Sequence, residues 1–296
     1  MAEIVLKPKG KIGIMVEAEV ITPDGLAGKS AKEIESLSVW QGPAKLPLRE
    51  FFEVKIVADI AAKIASDAVA NAAADVAGYA SSGSSGPSGS SGSSGETKIV
   101  IDGDVSRIKR IGQGMRSGQI EIKGSAGMHL GAEMAGGSIV VQGDAGSWAG
   151  MEMKGGSLQI MGSAGDHVGC AYRGSWRGMT GGQIMIGGNA RSQLGGGLAG
   201  GQIVVEGSVE NFCGIRQGGG LILIKGDAVR GLGAEMNGGT IAVLGDIRQF
   251  SPGFVKVAAE DNPKIGDLQL EGRFGKFSGD YALGKNPKGT LYWKEG

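Results

Sequence analysis

The chain has 296 residues, with 30 Lys+Arg against 30 Asp+Glu and 58 glycines. Zero formal charge argues against a protein held to nucleic acid or an anionic membrane by bulk electrostatics, and 41% hydrophobic residues exclude a wholly disordered chain. Only 8 prolines and no glycine at every third position exclude collagen, no apolar run approaches the ~18 residues of a membrane helix, and two cysteines, Cys170 and Cys213, cannot build a disulfide framework or a four-ligand zinc site.

The start, MAEIVLKPKGK, has no apolar signal segment, so a cytoplasmic location is expected. Residues 1–57 read as a small α/β-like segment. Ile4–Leu6 and Val16–Ile21 look like strands, and Ser30-Ala-Lys-Glu33 is a capping box opening a short helix that runs to about Leu37. Residues 58–96 divide into an alanine-rich stretch and a Gly/Ser linker. In the first, Ile60, Ile64 and Val76 suggest a weakly amphipathic helix or an arm packed on a partner. The second, SSGSSGPSGSSGSSG, resembles an engineered linker and is given no function.

From residue 97 to 249 the glycine follows a repeat. Segments such as IEIKGS (from Ile120), IVVQGD (Ile139) and LQIMGS (Leu158) each end in a glycine at the fifth position: Gly103, Gly124, Gly143, Gly162, Gly188, Gly207, Gly226 and Gly245. Their spacings are 21, 19, 19, 26, 19, 19 and 19. First and third positions are always aliphatic and seventh positions are Ala, Val or Ile, whereas second and fourth positions are mixed. That is a strand with one dry face. A single such strand cannot bury its face, but stacked copies can. Period 19 is too short for helical repeats or propeller blades, and the leucine-rich framework is missing. The expected fold is therefore mainly β: a right-handed parallel β-helix, a single-stranded solenoid of about eight coils. Stacked at the strand spacing of ~4.8 Å, they make a rod on the order of 38 Å long.

The second half of each unit reads GxxMxGG, with Met134, Met153, Met179, Leu198 and Met236 in one phase. Thioethers there read as core filling, and the glycines as corners needing positive φ or close backbone approach. The coil from Gly214 (GIRQGGG) is looser. The spacing of 26 places seven additional residues between Gly169 and Met179, in CAYRGSWRGM. An insertion in one coil must project from one face. Tyr172, Arg173, Trp176 and Arg177 give this loop the composition of a binding hot spot, and we take it as the candidate partner or ligand contact. Residues 250–296 should cap the rod and close its last edge.

No catalytic constellation is expected. The sixth-position acids Asp104, Asp144, Asp227 and Asp246 are interrupted by Ser125, Ser163 and Ser208, and read as turn residues rather than a polysaccharide-cleaving groove. IGQGMRSG (from Ile111) lacks dinucleotide spacing and a βαβ context. His129 and His167 show no regular ligand spacing and read as non-catalytic. Cys170 and Cys213 lie two coils apart, ~9.6 Å, too far for a disulfide, and read as free, partly buried thiols. No metal site is expected in this chain. By elimination, the rod is expected to hold other chains or to be part of a larger one.

Several segments carry a resemblance to a known family: GDVSRIKRIGQGMRSGQIEIKGSAGMHLGAEMAGGSI (from Gly103), GGTIAVLGDI (from Gly238), VEAEVITPDGLAGKSAKEIESLSVW (from Val16) and FSGDYALGKNPKGTLYW (from Phe277). The repeat resembles the GXGXG β-helix domain at the C-terminus of the glutamate synthase large subunit. It is more similar to the C-subunit family of formylmethanofuran dehydrogenase, related also to a subunit of the bacterial formyltransferase/hydrolase complex. The resemblance covers residues 1 to about 57 and 97–296. It implies a cytoplasmic oxidoreductase complex of methanogenesis. That complex reduces carbon dioxide to formate at a tungsten or molybdenum pterin, and condenses formate with methanofuran at an amidohydrolase metal site. Iron–sulfur clusters of ferredoxin-type subunits supply the electrons. Those centres belong to the partner subunits; none is implied in this chain, nor any catalytic residue. The expected role is a non-catalytic scaffold contacting the amidohydrolase, pterin-enzyme and ferredoxin-type subunits, with no nucleic-acid or membrane partner. The alternative is a glutamate-synthase-like structural module of an amidotransferase complex.

Overall fold

The computed structural model describes residues 3–57, 97–284 and 286–295. The alanine-rich stretch and Gly/Ser linker of residues 58–96 lie outside the described residues. The N-terminal segment contributes β1 (Glu3–Pro8), β2 (Val16–Glu17), the one-turn helix α1 (Pro23–Leu26), α2 (Ala31–Ser36), β3 (Ser38–Gln41), β4 (Ala44–Pro47) and β5 (Phe52–Val57). The repeat contributes β6 (Lys98–Ile101), β7 (Ile108–Lys109), β8 (Gln119–Ile122), β9 (Ser138–Val141), β10 (Ser157–Ile160), β11 (Gln183–Ile186), β12 (Gln202–Val205), β13 (Gly218–Ile224), β14 (Ala228–Arg230), β15 (Gly238–Val243) and β16 (Ile247–Gln249). The C-terminal segment contributes β17 (Val255–Asp261), β18 (Lys264–Ile265), β19 (Leu268–Gln269), β20 (Arg273–Gly279) and β21 (Gly289–Lys294).

Thirteen of these strands form one sheet, in the order β17-β20-β21-β15-β13-β12-β11-β10-β9-β8-β6-β1-β5. Every pairing from β1 through β21 is parallel, and the strands at the two ends are antiparallel. The glycine phase sets the register. Ile120 pairs with Ile139, Ile139 with Leu158, Leu158 with Ile184, Ile184 with Ile203, Ile203 with Ile222 and Ile222 with Ile241. These first-position side chains are all buried, as are the third-position ones beside them. A second ladder joins seventh positions, from Val105 through Ala126, Ala145, Ala164, Ala190 and Val209 to Ala228. The backbone of each unit therefore lies over that of the last at two separate places.

The sixth position does more than turn the chain. Asp144 N–H donates to Ser125 Oγ (3.1 Å), and Ser163 N–H to Asp144 Oδ1 (2.7 Å). The series continues through Ser163 Oγ, Asn189 Oδ1, Ser208 Oγ and Asp227 Oδ1, each accepting from the next unit. Asp, Ser and Asn alternate because any short side-chain oxygen satisfies the next backbone N–H. Most fifth-position glycines need no left-handed conformation; a Cβ on Gly162 would sit 2.3 Å from Asp144 Oδ1.

The methionine phase is buried throughout, from Met115 to Met236, with Gln217 taking its place in the looser coil. Gln217 Nε2 donates to the Gly219, Gly220 and Thr240 carbonyls, while its Oε1 is unpartnered.

The N-terminal segment joins the repeat directly: β1 lies between β5 and β6 in the main sheet, and β2 pairs with β7. Two expectations are corrected. The strand expected over Val16–Ile21 is only Val16–Glu17, because Thr22 caps a helix starting at Pro23: Gly25 N–H donates to its Oγ1 (2.9 Å). Nor is the outer face wet throughout. Val204, Leu223, Ala242 and Tyr292 are covered by Ile265, Leu268, Leu270 and Phe274. The capping box forms, with Ser30 N–H donating to Glu33 Oε2 (2.7 Å), and α2 ends at Ser36.

Candidate functional site

One corner of every unit is built from residues at positive φ, and most are not glycine. Arg110, His129, Trp148, His167, Gln193 and Phe212, one per unit, have φ between 59° and 67°. Such a conformation costs on the order of 1 kcal/mol or more per residue. It persists here because alternate N–H groups point to opposite neighbours. His129 N–H donates to Ser147 O (3.0 Å), Gly131 N–H back to Ile111 O (2.9 Å) and Glu133 N–H forward to Met151 O (2.7 Å). The resulting side chains stack. The Trp148 ring lies 6.1 Å from His129 and 4.2 Å from His167, both near parallel. His129 and His167 therefore share a phase two units apart; their 38-residue separation is twice 19, the signal that comparison of the histidines alone overlooked.

The insertion arches over this stack. Gly178 anchors its end through a 2.8 Å bond from its N–H to Gly197 O, and Tyr172 N–H donates to Glu152 Oε1 (3.0 Å). Tyr172 tilts against Trp148 with ring centroids 6.5 Å apart. Trp176 is 74% exposed, with the Arg216 guanidinium 4.9 Å from its ring centroid. Together they enclose a cleft of about 320 Å³ whose walls include Trp148, His167, Tyr172, Arg173, Trp176 and Arg216. The structure thus brings Tyr172, Arg173 and Trp176 together; Arg177 is exposed but does not line the cleft. Sequence reasoning missed Trp148 and Arg216, which arrive from other units, and read His167, which precedes the insertion in its own unit, only as non-catalytic.

The chemistry of the cleft is aromatic and cationic. Burial holds both histidines below the usual imidazole value. Arg110 and Lys109 add to this at His129, with Glu17 opposing; at His167 Asp166 opposes and Arg173 adds. Neutral rings suit stacking on an indole. Burial pushes the Cys170 thiol up to about 12, and its Sγ–H donates to Gln193 O (2.6 Å). Cys213 is raised by burial and by Cys170. Both thiols are free and fully buried rather than partly so, and neither is a nucleophile at neutral pH. Among the described residues no group of three or more His, Cys, Asp or Glu is placed to hold a metal ion. Also among them, no helix is long and apolar enough to cross a membrane.

A pH dependence follows. With folded pKa values below 6.5, the two histidines take up protons more readily when unfolded, so their contribution is whole above about pH 6.5 and is lost as pH falls below it. We expect the denaturation midpoint of the wild-type chain to drop more between pH 7.5 and 5.5 than that of His129→Gln/His167→Gln. Equal drops would contradict the assignment.

A larger cleft of about 530 Å³ lies between the N-terminal segment and the first units, lined by Ile14, Glu17, Trp40, Lys109 and Arg110 among others. Glu17 lies 3.5 Å from both Lys109 and Arg110 there.

No family model matches the sequence. The chain is 67% identical over 292 residues to the C subunit of the molybdenum-containing formylmethanofuran dehydrogenase 1 of Methanosarcina barkeri, covering 99% of this chain and 86% of that one. It is 42% identical over 132 residues to the C subunit of the tungsten-containing formylmethanofuran dehydrogenase 2 of Methanothermobacter marburgensis, covering 45% of this chain and 37% of that one. Among solved structures it is similar to a chain of the formyltransferase/hydrolase complex from Methylorubrum extorquens, crystallised with methylofuran. The TM-score is 0.77 at 26% identity, over 99% of this chain and 100% of that one.

Proposed function

This chain belongs to the C-subunit family of formylmethanofuran dehydrogenase, and from that premise we propose that it is the non-catalytic scaffold of its oxidoreductase complex. Other subunits then carry the molybdenum or tungsten centre, the electron-transfer clusters and the chemistry on carbon dioxide and methanofuran. This chain holds them at fixed separations. The observation that carries the reading is the in-register stacking of buried aliphatic ladders, which gives a rigid body with its functional side chains on one outer corner.

We read the architecture as a right-handed parallel β-helix over residues 97–249, begun by residues 1–57 and closed by residues 250–296. The two ladders per unit support it, as do β21 laid parallel on β15 and a cap in which Phe250, Phe277 and Trp293 pack together. Gly103, Gly124, Gly143, Gly162, Gly188, Gly207, Gly226 and Gly245 are structural in this reading: from Gly124 onward the units approach too closely for a side chain, and Gly103 packs against the Pro8 ring at a φ of 150°.

The insertion is the partner contact. Trp176→Ala combined with Arg177→Ala should weaken assembly of the complex at least tenfold, about 1.4 kcal/mol or more, without changing the melting temperature of the chain. Quantitative reassembly with purified partner subunits reads this out. Unchanged affinity and turnover would remove the loop from the interface.

A further inference from the structure

We propose that the insertion and the C-terminal loop after Asp280 form one docking edge, which receives a single neighbouring protein subunit through an apolar pocket with an acidic rim. This deepens, and rests on, the reading of the insertion as a partner contact. Trp176 and Asp280 are 104 residues apart in sequence, yet a chain of direct contacts joins the two loops. Arg216 lies 4.9 Å from the Trp176 ring. Its Nε is 2.7 Å from Glu235 Oε2. Glu235 N–H donates to Asp280 Oδ2 (2.9 Å), and Ala282 N–H to Asp280 Oδ1 (2.9 Å). Arg216 and Glu235 both sit at positive φ in successive units, which places them side by side on the outer corner.

Asp280 is 5% exposed and spends its carboxylate on those two backbone groups. The residues it anchors are the opposite: Tyr281 and Leu283 are 42% and 51% exposed. Tyr281 N–H also donates to Gly253 O (2.9 Å), bringing in the start of β17 with exposed Val255 and Val257. With Tyr172 and Trp176, these account for six of the nine exposed large hydrophobic residues among the described ones. Large apolar side chains held outward on a hydrogen-bonded base mark an interaction surface.

Charge selects the occupant. The guanidinium groups of Arg173 and Arg177 form no ion pair and no hydrogen bond among the described residues, whereas the neighbouring acids are engaged. Glu152 accepts from Tyr172 N–H, Glu210 from Ser192 Oγ–H, and Glu235 pairs with Arg216. A second copy meeting this patch across a twofold axis would set these guanidinium groups against themselves. A different subunit presenting carboxylates around an apolar pocket satisfies them.

The test uses the purified complex reassembled with the full-length chain. A photoreactive phenylalanine analogue at position 176 and, separately, at 283 should crosslink to the same partner subunit, identified by mass spectrometry. Tyr281→Ala/Leu283→Ser should weaken assembly about tenfold at unchanged melting temperature, and Arg173→Glu/Arg177→Glu should weaken it at low salt more than at high salt. Crosslinks to two different subunits would overturn the shared edge, as would intact assembly of the Tyr281/Leu283 variant beside a weakened Trp176 variant; that last result would leave the insertion reading standing. Crosslinks from one copy of this chain to another would overturn the choice of partner. Full assembly of both variants would remove the edge and the insertion reading together.

Discussion

Leu158→Asp should abolish the cooperative folding transition of this protein, whereas Gln159→Asp, one residue along the same strand, should leave it almost unchanged. Leu158 is fully buried, in register between Ile139 and Ile184 on the strands either side. The substitution removes a core leucine, worth about 2–5 kcal/mol, and leaves an unpaired carboxylate among isoleucine and methionine side chains, which costs several more. Domains of ordinary size are stable by about 5–15 kcal/mol in total, so the loss exceeds what the fold can absorb. Gln159 points to the outer face, where its Nε2 donates to Met161 Sδ at 3.3 Å. A charge there stays hydrated, and an effect within about 0.5 kcal/mol is expected. Circular dichroism during thermal unfolding separates the two: a sharp transition for one, a featureless slope for the other. Similar melting of both would mean the strands do not alternate about a dry interior.

Gly136→Ala should destabilise by about 3 kcal/mol, while Gly13→Ala is neutral or slightly stabilising. The contrast isolates contact from conformation, because neither glycine has a positive φ. A Cβ on Gly136 would stand 2.2 Å from Arg116 O, the backbone of the preceding unit, whereas one on Gly13 meets nothing within 4 Å. The unit cannot retreat, because Gly136 N–H and Ala135 N–H both donate to Met115 O. Urea unfolding of the two variants, compared by midpoint at constant slope, measures the difference.

The stacking was legible in the sequence because each unit repeats the same local problem. One glycine every 19 residues fixes the phase, the aliphatic first and third positions fix the face, and the exception of 26 fixes where the chain leaves the stack. The side chains around the cleft were harder to read. Trp148, His167 and Arg216 reach the insertion from three different units, and their alignment depends on a left-handed corner that non-glycine residues seldom adopt. His129, Trp148 and His167 did carry a signal, their common spacing of 19, but only relative to the glycine phase. The covering of Val204, Leu223 and Ala242 by Ile265 and Leu268 had no local trace. Mixed outer positions on those strands looked like solvent-facing ones, and their cover comes from a hairpin that breaks the period. The insertion of β1 beside β6 is equally non-local, since pairing partners 95 residues apart leave no spacing to detect.

Removal of one unit tests the stack most directly. Deleting Ser125–Gly143 takes out 19 residues and joins Gly124 to Asp144, so every later side chain keeps its face, and Leu158 meets Ile120 in place of the equivalent Ile139. Deleting Ser125–Gln142 takes out 18 and shifts the joint by one residue, which turns the following strand inside out. The first variant should remain soluble and melt cooperatively, with a scattering length shortened by one strand spacing of ~4.8 Å; the second should not fold. If the two deletions behave alike, the chain does not return over itself once per 19 residues.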